Sequence, residues 1–565
     1  MVQGGDRMLG LMQDRPLILT SIMEHARRLH GDREIVSVTA DQPLHRYSYR
    51  DAFARAAQLA GALRRLGAVS GDRIGTLAWN DHRHFELYFA TSCAGFVCHT
   101  INPRLFPAQI EFIIRDAADR WLFVDPLFVP LLVALQDRLD CVAGFVILGP
   151  AGAAAGSGLR NAHDYETLLA ACEPVFDWPE LDERGACALC YTSGTTGNPK
   201  GVLYDHRALV LHTYACLMPD VMGATARDVV LPVVPMFHVN AWSIPYGAAV
   251  AGAKLVLPGP RMGDGAALAR LIATEAVNVA AGVPTVWLGL LAHLRASGER
   301  LPSLRRVIVG GAACPRAIME EFETVHGVHV HHAWGMTETS PVGTFNSPSA
   351  DFAALSPEDQ WRQRLSVGRP VWGVEVRVVD ATGQEQPWDG KTPGSLLVRG
   401  PWVCAEYFRV GRSDAHRNDG WFDTGDIATI DVRGYVTITD RAKDVIKSGG
   451  EWISSITLEN TVMAHPAVAE AAVIGAPHPR WDERPLLCVV LRAGADATRE
   501  ELLDWFDGRV ASWWVPDDVL FFDELPHTAT GKLSKKDLRE RLKRYRFGDG
   551  RCDTATGTST EDPDE

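Results

Sequence analysis

Ala186-Cys-Ala-Leu-Cys-Tyr-Thr-Ser-Gly-Thr-Thr-Gly-Asn-Pro-Lys-Gly201 is an apolar run followed at once by small hydroxyl residues, glycines and one lysine. The apolar part reads as a buried strand. The glycines let the chain bend so that backbone amides point inward around an anion. Thr192, Ser193, Thr195 and Thr196 add hydroxyl donors beside Gly194 and Gly197, and Lys200 adds a cation, a set suited to a polyphosphate. The loop is not a Walker A sequence, because Lys200 follows Pro199 and precedes Gly201.

Outward from this loop, short apolar runs alternate with amphipathic stretches. RIGTLAW, WLFVD, GFVILG, KLVLPG and RRVIVGG read as strands, and YRDAFARAAQLAGALRRLG and GAALARLIATEAV as helices. That alternation implies an α/β architecture with largely parallel sheets. The end of the chain reads as an α+β unit of its own. SSITLENTVMAHP, REELLDWFDGRVASWW and KKDLRERLKRY are its expected helices, and VAEAAVIGA, LLCVVLRAG and FFDELP its strands. The expected division is residues 1–440, 441–546, and a polar tail over 547–565 that lacks apolar periodicity and reads as disordered.

The chain has 565 residues, more than one core of roughly 250–300 residues can hold, so at least two domains are expected. A hydrophobic fraction of 46% excludes a disordered chain, and no run reaches the roughly 18 apolar residues of a membrane helix. Asp6, Arg7, Asp14 and Arg15 stand where a signal peptide needs an apolar core, so cytoplasmic location is expected. A formal net charge of −14 argues against bulk nucleic-acid binding. The 11 cysteines form no dense framework, and the lone pair Cys187 and Cys190 reads as strand interior.

Five further segments carry candidate chemistry. His331-His-Ala-Trp-Gly-Met-Thr-Glu-Thr-Ser340 offers Trp334 for a purine, Gly335 for close approach, the hydroxyl of Thr337 and the carboxylate of Glu338, a donor that Mg2+ accepts beside phosphate oxygens. Upstream, Gly310-Gly-Ala-Ala313 is a small-residue turn after a strand, where parallel sheets bind ligands. Gly420-Trp-Phe-Asp-Thr-Gly-Asp426 places a carboxylate beside a glycine turn, as ribose-binding acids are placed. Asp440-Arg-Ala-Lys-Asp-Val-Ile-Lys-Ser-Gly-Gly-Glu-Trp452 is a charged turn with a glycine hairpin, and Thr528-Ala-Thr-Gly-Lys-Leu-Ser534 sets Lys532 after a glycine. Each alone is more often an ordinary turn or cap.

Together and in this order, from about residue 20 to 545, these segments resemble the adenylate-forming superfamily of acyl-CoA synthetases, insect luciferases and peptide-synthetase adenylation domains. The resemblance implies a large N-terminal domain with parallel and mixed sheets plus a small β-barrel, and a smaller mobile α+β C-terminal domain. It implies that residues 192–197 and Lys200 hold phosphates, that Gly311, Ala312, His332, Trp334 and Gly335 wall the nucleotide, and that Thr337 meets the α-phosphate while Glu338 holds Mg2+. Asp426 and Arg441 would hold the ribose, Lys443 would be a hinge, and Lys447, Gly449, Gly450, Glu451 and Trp452 would form the face turned toward coenzyme A. Lys532 would be the catalytic lysine, with Lys535 a mild variation downstream.

Val233-Val-Pro-Met-Phe-His-Val-Asn-Ala-Trp242 is similar to the same region of bacterial medium- and long-chain fatty acyl-CoA synthetases, which implies His238 beside the carboxylate and Trp242 as gate to the acyl tunnel. Around Ala281-Gly-Val-Pro-Thr-Val-Trp287, tunnel lining and plain core packing are equally compatible readings. The expected activity is ATP-dependent ligation of a fatty acid to coenzyme A through an acyl-adenylate, in a homodimer. Competing readings are a ligase for a short, branched, aromatic or methylthio-substituted acid, a transferase onto a carrier protein, and a non-catalytic nucleotide-binding regulator.

Overall fold

The computed structural model describes residues 10–192, 198–417, 419–449, 451–528 and 533–547, without the side chains of Glu451 and Trp452. Ser193, Gly194, Thr195, Thr196, Gly197, Gly450, Lys532 and the tail beyond Phe547 lie outside the described residues.

Two large sheets face each other across a layer of helices. The first, of nine strands, has a parallel centre: Glu34–Ser37, Lys254–Leu257, Val229–Pro232, Val279–Gly282, Arg306–Val309 and His329–Gly335 lie side by side. The second, of seven, is parallel from Ala162–Asp164 through Ala186–Tyr191, with Gly201–Asp205 antiparallel at its edge. The strands expected from the apolar runs form here, at Arg73–Leu77, Trp121–Val124, Gly144–Ile147, Lys254–Leu257 and Arg306–Val309. Parallel strands buried on both faces need helices over them, which is why their sequences are continuously apolar.

Helix His82–Cys93 shows what the middle layer demands, for each of its residues is buried although it carries Arg83, Glu86 and two histidines. Those charges are matched. Arg83 reaches Asp41 through both terminal nitrogens, at 2.9 and 3.0 Å, and Glu166 at 3.0 Å. Arg55 reaches Glu86 at 2.8 Å, and the Tyr165 hydroxyl donates to Glu86 at 2.6 Å. Buried charge is tolerated only when paired in this way.

A four-stranded antiparallel sheet follows: Glu375–Val379, Gly394–Arg399, Phe422–Ile430 and Val436–Arg441. These four strands stand where the resemblance implies the small β-barrel. Sheet membership then changes between Arg441 and Ile446, where five strands from Ile446–Ser448 to Asp518–Phe521 take over with their own buried cores. The expected helix over 499–514 is shorter, Arg499–Asp504, with a separate turn at Ser512–Trp514; Gly508 at φ 69° breaks the pattern. The strand expected at FFDELP lies earlier, at Asp518–Phe521, where it pairs in parallel with Leu486–Val489.

Candidate active site

The nucleotide side is built on the end of strand His329–Gly335. A Cβ on Gly335 would stand 2.0 Å from the Pro341 carbonyl oxygen, so only glycine fits. Trp334 is nearly buried, with one ring face against Gly343, where an added Cβ would lie 2.5 Å away. Its indole Nε1 donates to Asp426 Oδ2 at 2.8 Å. The other oxygen of Asp426 meets Arg441 Nε at 2.9 Å, and the two residues are cross-strand partners. Asp426 is 2% exposed, so three predicted residues converge on one sequestered carboxylate. A carboxylate has about four lone-pair sites, leaving capacity for further donors. Gly311 has φ +84°, where a side chain would be strained. His332 packs behind it, with Nδ1 3.2 Å from the Leu365 carbonyl; burial pushes its pKa down and keeps it neutral.

The loop expected to hold phosphates is closed at its base. Thr192 N donates to the Lys200 carbonyl at 2.9 Å, and Lys200 N donates to Thr192 Oγ1 at 3.2 Å. Lys200 Nζ lies 4.8 Å from the centre of the Tyr407 ring, and the Tyr407 hydroxyl donates to Glu338 Oε1 at 2.7 Å. Burial raises the pKa of Glu338; the Tyr407 bond, then Arg441 and Lys200, oppose the rise. Thr337 is fixed through its carbonyl, which accepts from the Tyr204 hydroxyl at 2.7 Å. Tyr204 and Tyr407 escaped the sequence reading. Tyr204 follows the loop on strand Gly201–Asp205, a weak signal, whereas Tyr407 sits in an irregular segment with none.

The acyl side departs from regular backbone. Val239, Asn240, Ala241, Trp242 and Ser243 all have φ between 47° and 58°. A left-handed turn costs roughly 1–2 kcal/mol per residue, and only surrounding contacts hold it. Cys190 Sγ lies 3.7 Å from Asn240 Oδ1 and Ser243 Oγ lies 3.0 Å from His212 Nδ1. Val342 N donates to His212 Nε2 at 3.0 Å, so Nδ1 carries the proton and donates to Ser243. Burial lowers the His212 pKa to about 3, which keeps the ring neutral. The turn sets the Trp242 ring against Gly310, where a Cβ would lie 2.8 Å from the indole. His238 is half-buried at the start of the turn. Trp287 packs in the core, with Nε1 donating to the Gly282 carbonyl at 3.2 Å, and Cys187 and Cys190 are buried free thiols within a strand.

Around the charged turn, burial lowers the Lys443 pKa, and Asp444 pairs with Arg539 at 2.7 Å. Gly449 has φ +59° and its N donates to the Trp481 carbonyl at 2.9 Å. Lys447 pairs with Trp452 in the hairpin ladder, and its N donates to Glu483 Oε2 at 3.0 Å. Lys535 is no idle variation, for its Nζ lies 2.7 Å from Glu459 Oε1 and 2.5 Å from Ser455 Oγ, which itself donates to buried Asp440 at 2.6 Å.

An α/β scaffold that joins Trp334 and Arg441 on the buried Asp426 carboxylate, with Lys200 and Tyr407 beside Glu338, has the groups that a nucleotide-dependent enzyme requires. Residues 23–408 match the family described as AMP-binding enzyme, and residues 457–532 match the AMP-binding enzyme C-terminal domain. The chain belongs to this family, as an AMP-forming acid–CoA ligase with ATP and coenzyme A as substrates. It is 52% identical to 3-methylmercaptopropionyl-CoA ligase of Ruegeria lacuscaerulensis, over 95% of this chain and 99% of that protein. It is 49% identical to medium-chain-fatty-acid–CoA ligase of Ectopseudomonas oleovorans, over 94% and 97%. The crystal structure of anthranilate CoA ligase AuaEII with anthranoyl-AMP superposes with TM-score 0.84 at 25% identity, covering 94% of this chain and 99% of that one.

Proposed function

We propose that this ligase activates a fatty acid, forming acyl-AMP with release of pyrophosphate and then acyl-CoA with release of AMP. The observation that carries the acid's identity is an apolar cavity beside the turn that holds Trp242 and Ser243. It is walled by Ser243, Ile244, Ala281 and Ile308 among others, and no charged side chain lines it. Such a wall suits a hydrocarbon tail and offers nothing to an amino or second carboxyl group. The named substrate of the Ectopseudomonas relative has the same character.

The first step brings two anions together, so positioning and charge neutralisation carry it. The acid's carboxylate attacks the α-phosphorus and pyrophosphate leaves. Lys532 would bridge the two groups, with Thr337 at the α-phosphate and His238 beside the carboxylate. Residues 192–197, Lys200 and the walls at Gly311, Ala312, His332, Trp334 and Gly335 would hold the nucleotide, whose ribose faces Asp426 and Arg441. Glu338 fits a magnesium site, because one buried carboxylate is what Mg2+ takes beside phosphate oxygens, and Tyr407 occupies only one lone pair. Bound there, Mg2+ would neutralise the β- and γ-phosphates.

In the second step the thiol of coenzyme A attacks the acyl carbon and AMP leaves. Rotation at Lys443 would withdraw Lys532 and present Lys447, Gly449, Gly450, Glu451 and Trp452. The units 1–440 and 441–546 are then the working domains. We place the enzyme in the cytoplasm as a homodimer; among the described residues no helix is long and apolar enough to cross a membrane.

The test is pyrophosphate release with ATP, Mg2+ and a ladder of fatty acids, with and without coenzyme A. Lys532→Ala should lose roughly 10²–10³ in the first step and keep transfer from preformed acyl-AMP. No acid-dependent release would sink the reading. A second reading, a methylthio-substituted short acid, is favoured by the name of the Ruegeria relative and enters the same ladder as 3-methylmercaptopropionate.

A further inference from the structure

We propose that Tyr407 is a positioning residue for the first step: its hydroxyl holds Glu338 and its ring seats Lys200, so that both charges face the triphosphate instead of each other. The inference rests on the acid–CoA ligase reading above, in which Lys200 and Glu338 serve the nucleotide.

Three distant segments meet at this tyrosine, which is 5% exposed. Its hydroxyl donates to Glu338 Oε1 at 2.7 Å. Lys200 Nζ stands 4.8 Å from the ring centre, within cation–π range. The Lys200 charge is felt at the Glu338 carboxylate, so the two are near neighbours. Among the described residues, however, no ion pair within 4 Å joins Lys200 to a carboxylate. Opposite charges in a partly buried site attract strongly. A direct pair would neutralise both, and an incoming triphosphate would have to break it. Tyr407 gives each group a competing contact, a hydrogen bond for the carboxylate and the negative ring face for the ammonium.

The backbone around Tyr407 is fixed to the chains of both partners. Cys404 N donates to the Glu338 carbonyl at 2.7 Å, and Ser340 Oγ donates to the Trp402 carbonyl at 2.9 Å. On the other side Phe408 N donates to the carbonyl of Gly201, the residue after Lys200, at 2.8 Å. Tyr407 and Gly411 exchange backbone bonds at 2.9 and 2.8 Å, which closes the turn between them. The His416 ring stands perpendicular to the tyrosine, 5.0 Å between centroids. Residues 402–411 therefore strap the Glu338 turn to the strand that follows Lys200. A phenylalanine would fill the same space; the hydroxyl adds the bond to Glu338.

The experiment compares wild type, Tyr407→Phe, Tyr407→Leu, Glu338→Ala and the double variant Tyr407→Phe with Glu338→Ala. ATP binding is read by calorimetry with and without Mg2+. Pyrophosphate release reports the first step, and acyl-CoA formation from preformed acyl-AMP reports the second. Thermal unfolding of each protein accompanies them, and Tyr407→Phe, which keeps the ring, should unfold close to wild type. Tyr407→Phe should weaken ATP binding in Mg2+ about tenfold, the effect of one hydrogen bond to a charged group. Binding without Mg2+ should stay within about twofold, because Lys200 keeps its ring. The first step should slow by about tenfold while the second stays within about twofold. In the Glu338→Ala background the same change should cost less than about twofold, since the hydroxyl has lost its partner. Tyr407→Leu should also weaken ATP binding without Mg2+, by about threefold. A loss that persists undiminished in the Glu338→Ala background, or an equal loss in both steps, overturns the inference while leaving the ligase intact. Absence of acid-dependent turnover by wild type with any acid overturns the underlying reading instead.

Discussion

At the scale of single residues, one carboxylate organises the nucleotide side. Asp426 receives the Trp334 indole and the Arg441 guanidinium on opposite oxygens; the indole bond is buried, while Arg441 reaches in from a half-exposed position. Hydrogen bonds to charged groups are the strong ones, at about 1.5–3 kcal/mol. Asp426→Asn keeps a carbonyl for Trp334 but loses the ion pair with Arg441. It should raise KM for ATP by about 30-fold, equivalent to about 2 kcal/mol, with a smaller effect on KM for the acid. Steady-state kinetics varying each substrate would show it, and equal changes in both KM values would contradict the assignment. Glu338 shows burial and partners acting in opposite directions: burial raises its pKa, and the Tyr407 bond, Arg441 and Lys200 oppose that rise.

At the scale of elements, glycine positions separate the site from the scaffold. Gly335→Ala drives a Cβ to 2.0 Å from backbone oxygen of Pro341, so the end of the strand must shift. A loss of at least about 2 kcal/mol in stability is expected, with nucleotide binding weakened beyond that because Trp334 is the neighbouring residue. Gly289 lies in helix Pro284–Ser297 with nothing within 4 Å of an added Cβ. Gly289→Ala should stabilise by about 0.5–1 kcal/mol and leave activity unchanged. Chemical denaturation of the pair checks both signs. The buried chain Asp440, Ser455, Lys535 and Glu459 ties the last helix to the end of strand Val436–Arg441 across the Lys443 turn. It is a polar joint at the place where resemblance puts a hinge.

For the molecule as a whole, stability rests on charges enclosed between the two large sheets. Asp81 caps helix His82–Cys93 by accepting from His84 N at 2.9 Å, yet it is 1% exposed. Burial, reinforced by Asp125, raises its pKa from 3.8 to about 7, with Arg83 opposing and Glu86 adding to the rise. A raised folded-state pKa means that the native state holds a proton which the unfolded chain has released. The stabilisation is full below about pH 4 and is lost as pH rises toward 7. Relative to Asp81→Asn, wild type should be more stable at pH 5 than at pH 8 by on the order of 2 kcal/mol. Urea midpoints of both proteins at the two pH values test this, and a constant gap would refute it.

Much of this protein is legible in its amino-acid sequence. The apolar runs specify their strands because parallel strands covered on both faces must be apolar throughout. The motifs together and in order carry the resemblance to the family, although each alone is more often an ordinary turn or cap. Trp334, Asp426 and Arg441 were named from separate segments, and the fold brings them within hydrogen-bonding distance. The tertiary structure alone decided the rest. The left-handed turn at 239–243 has no local signal, since non-glycine residues enter that region only when distant side chains such as His212 hold them. Tyr407 reaches Glu338 from an irregular segment that no periodicity marks. Helix 499–514 broke early because one glycine at positive φ outweighs a continuing pattern. Lys535 is an anchor because Glu459 and Asp440 meet only when helices Ser455–Met463 and Lys535–Arg541 pack beside the end of strand Val436–Arg441. Local sequence determines which chemistry each segment can offer; long-range packing determines which groups are desolvated together, and desolvation sets their charge and reach.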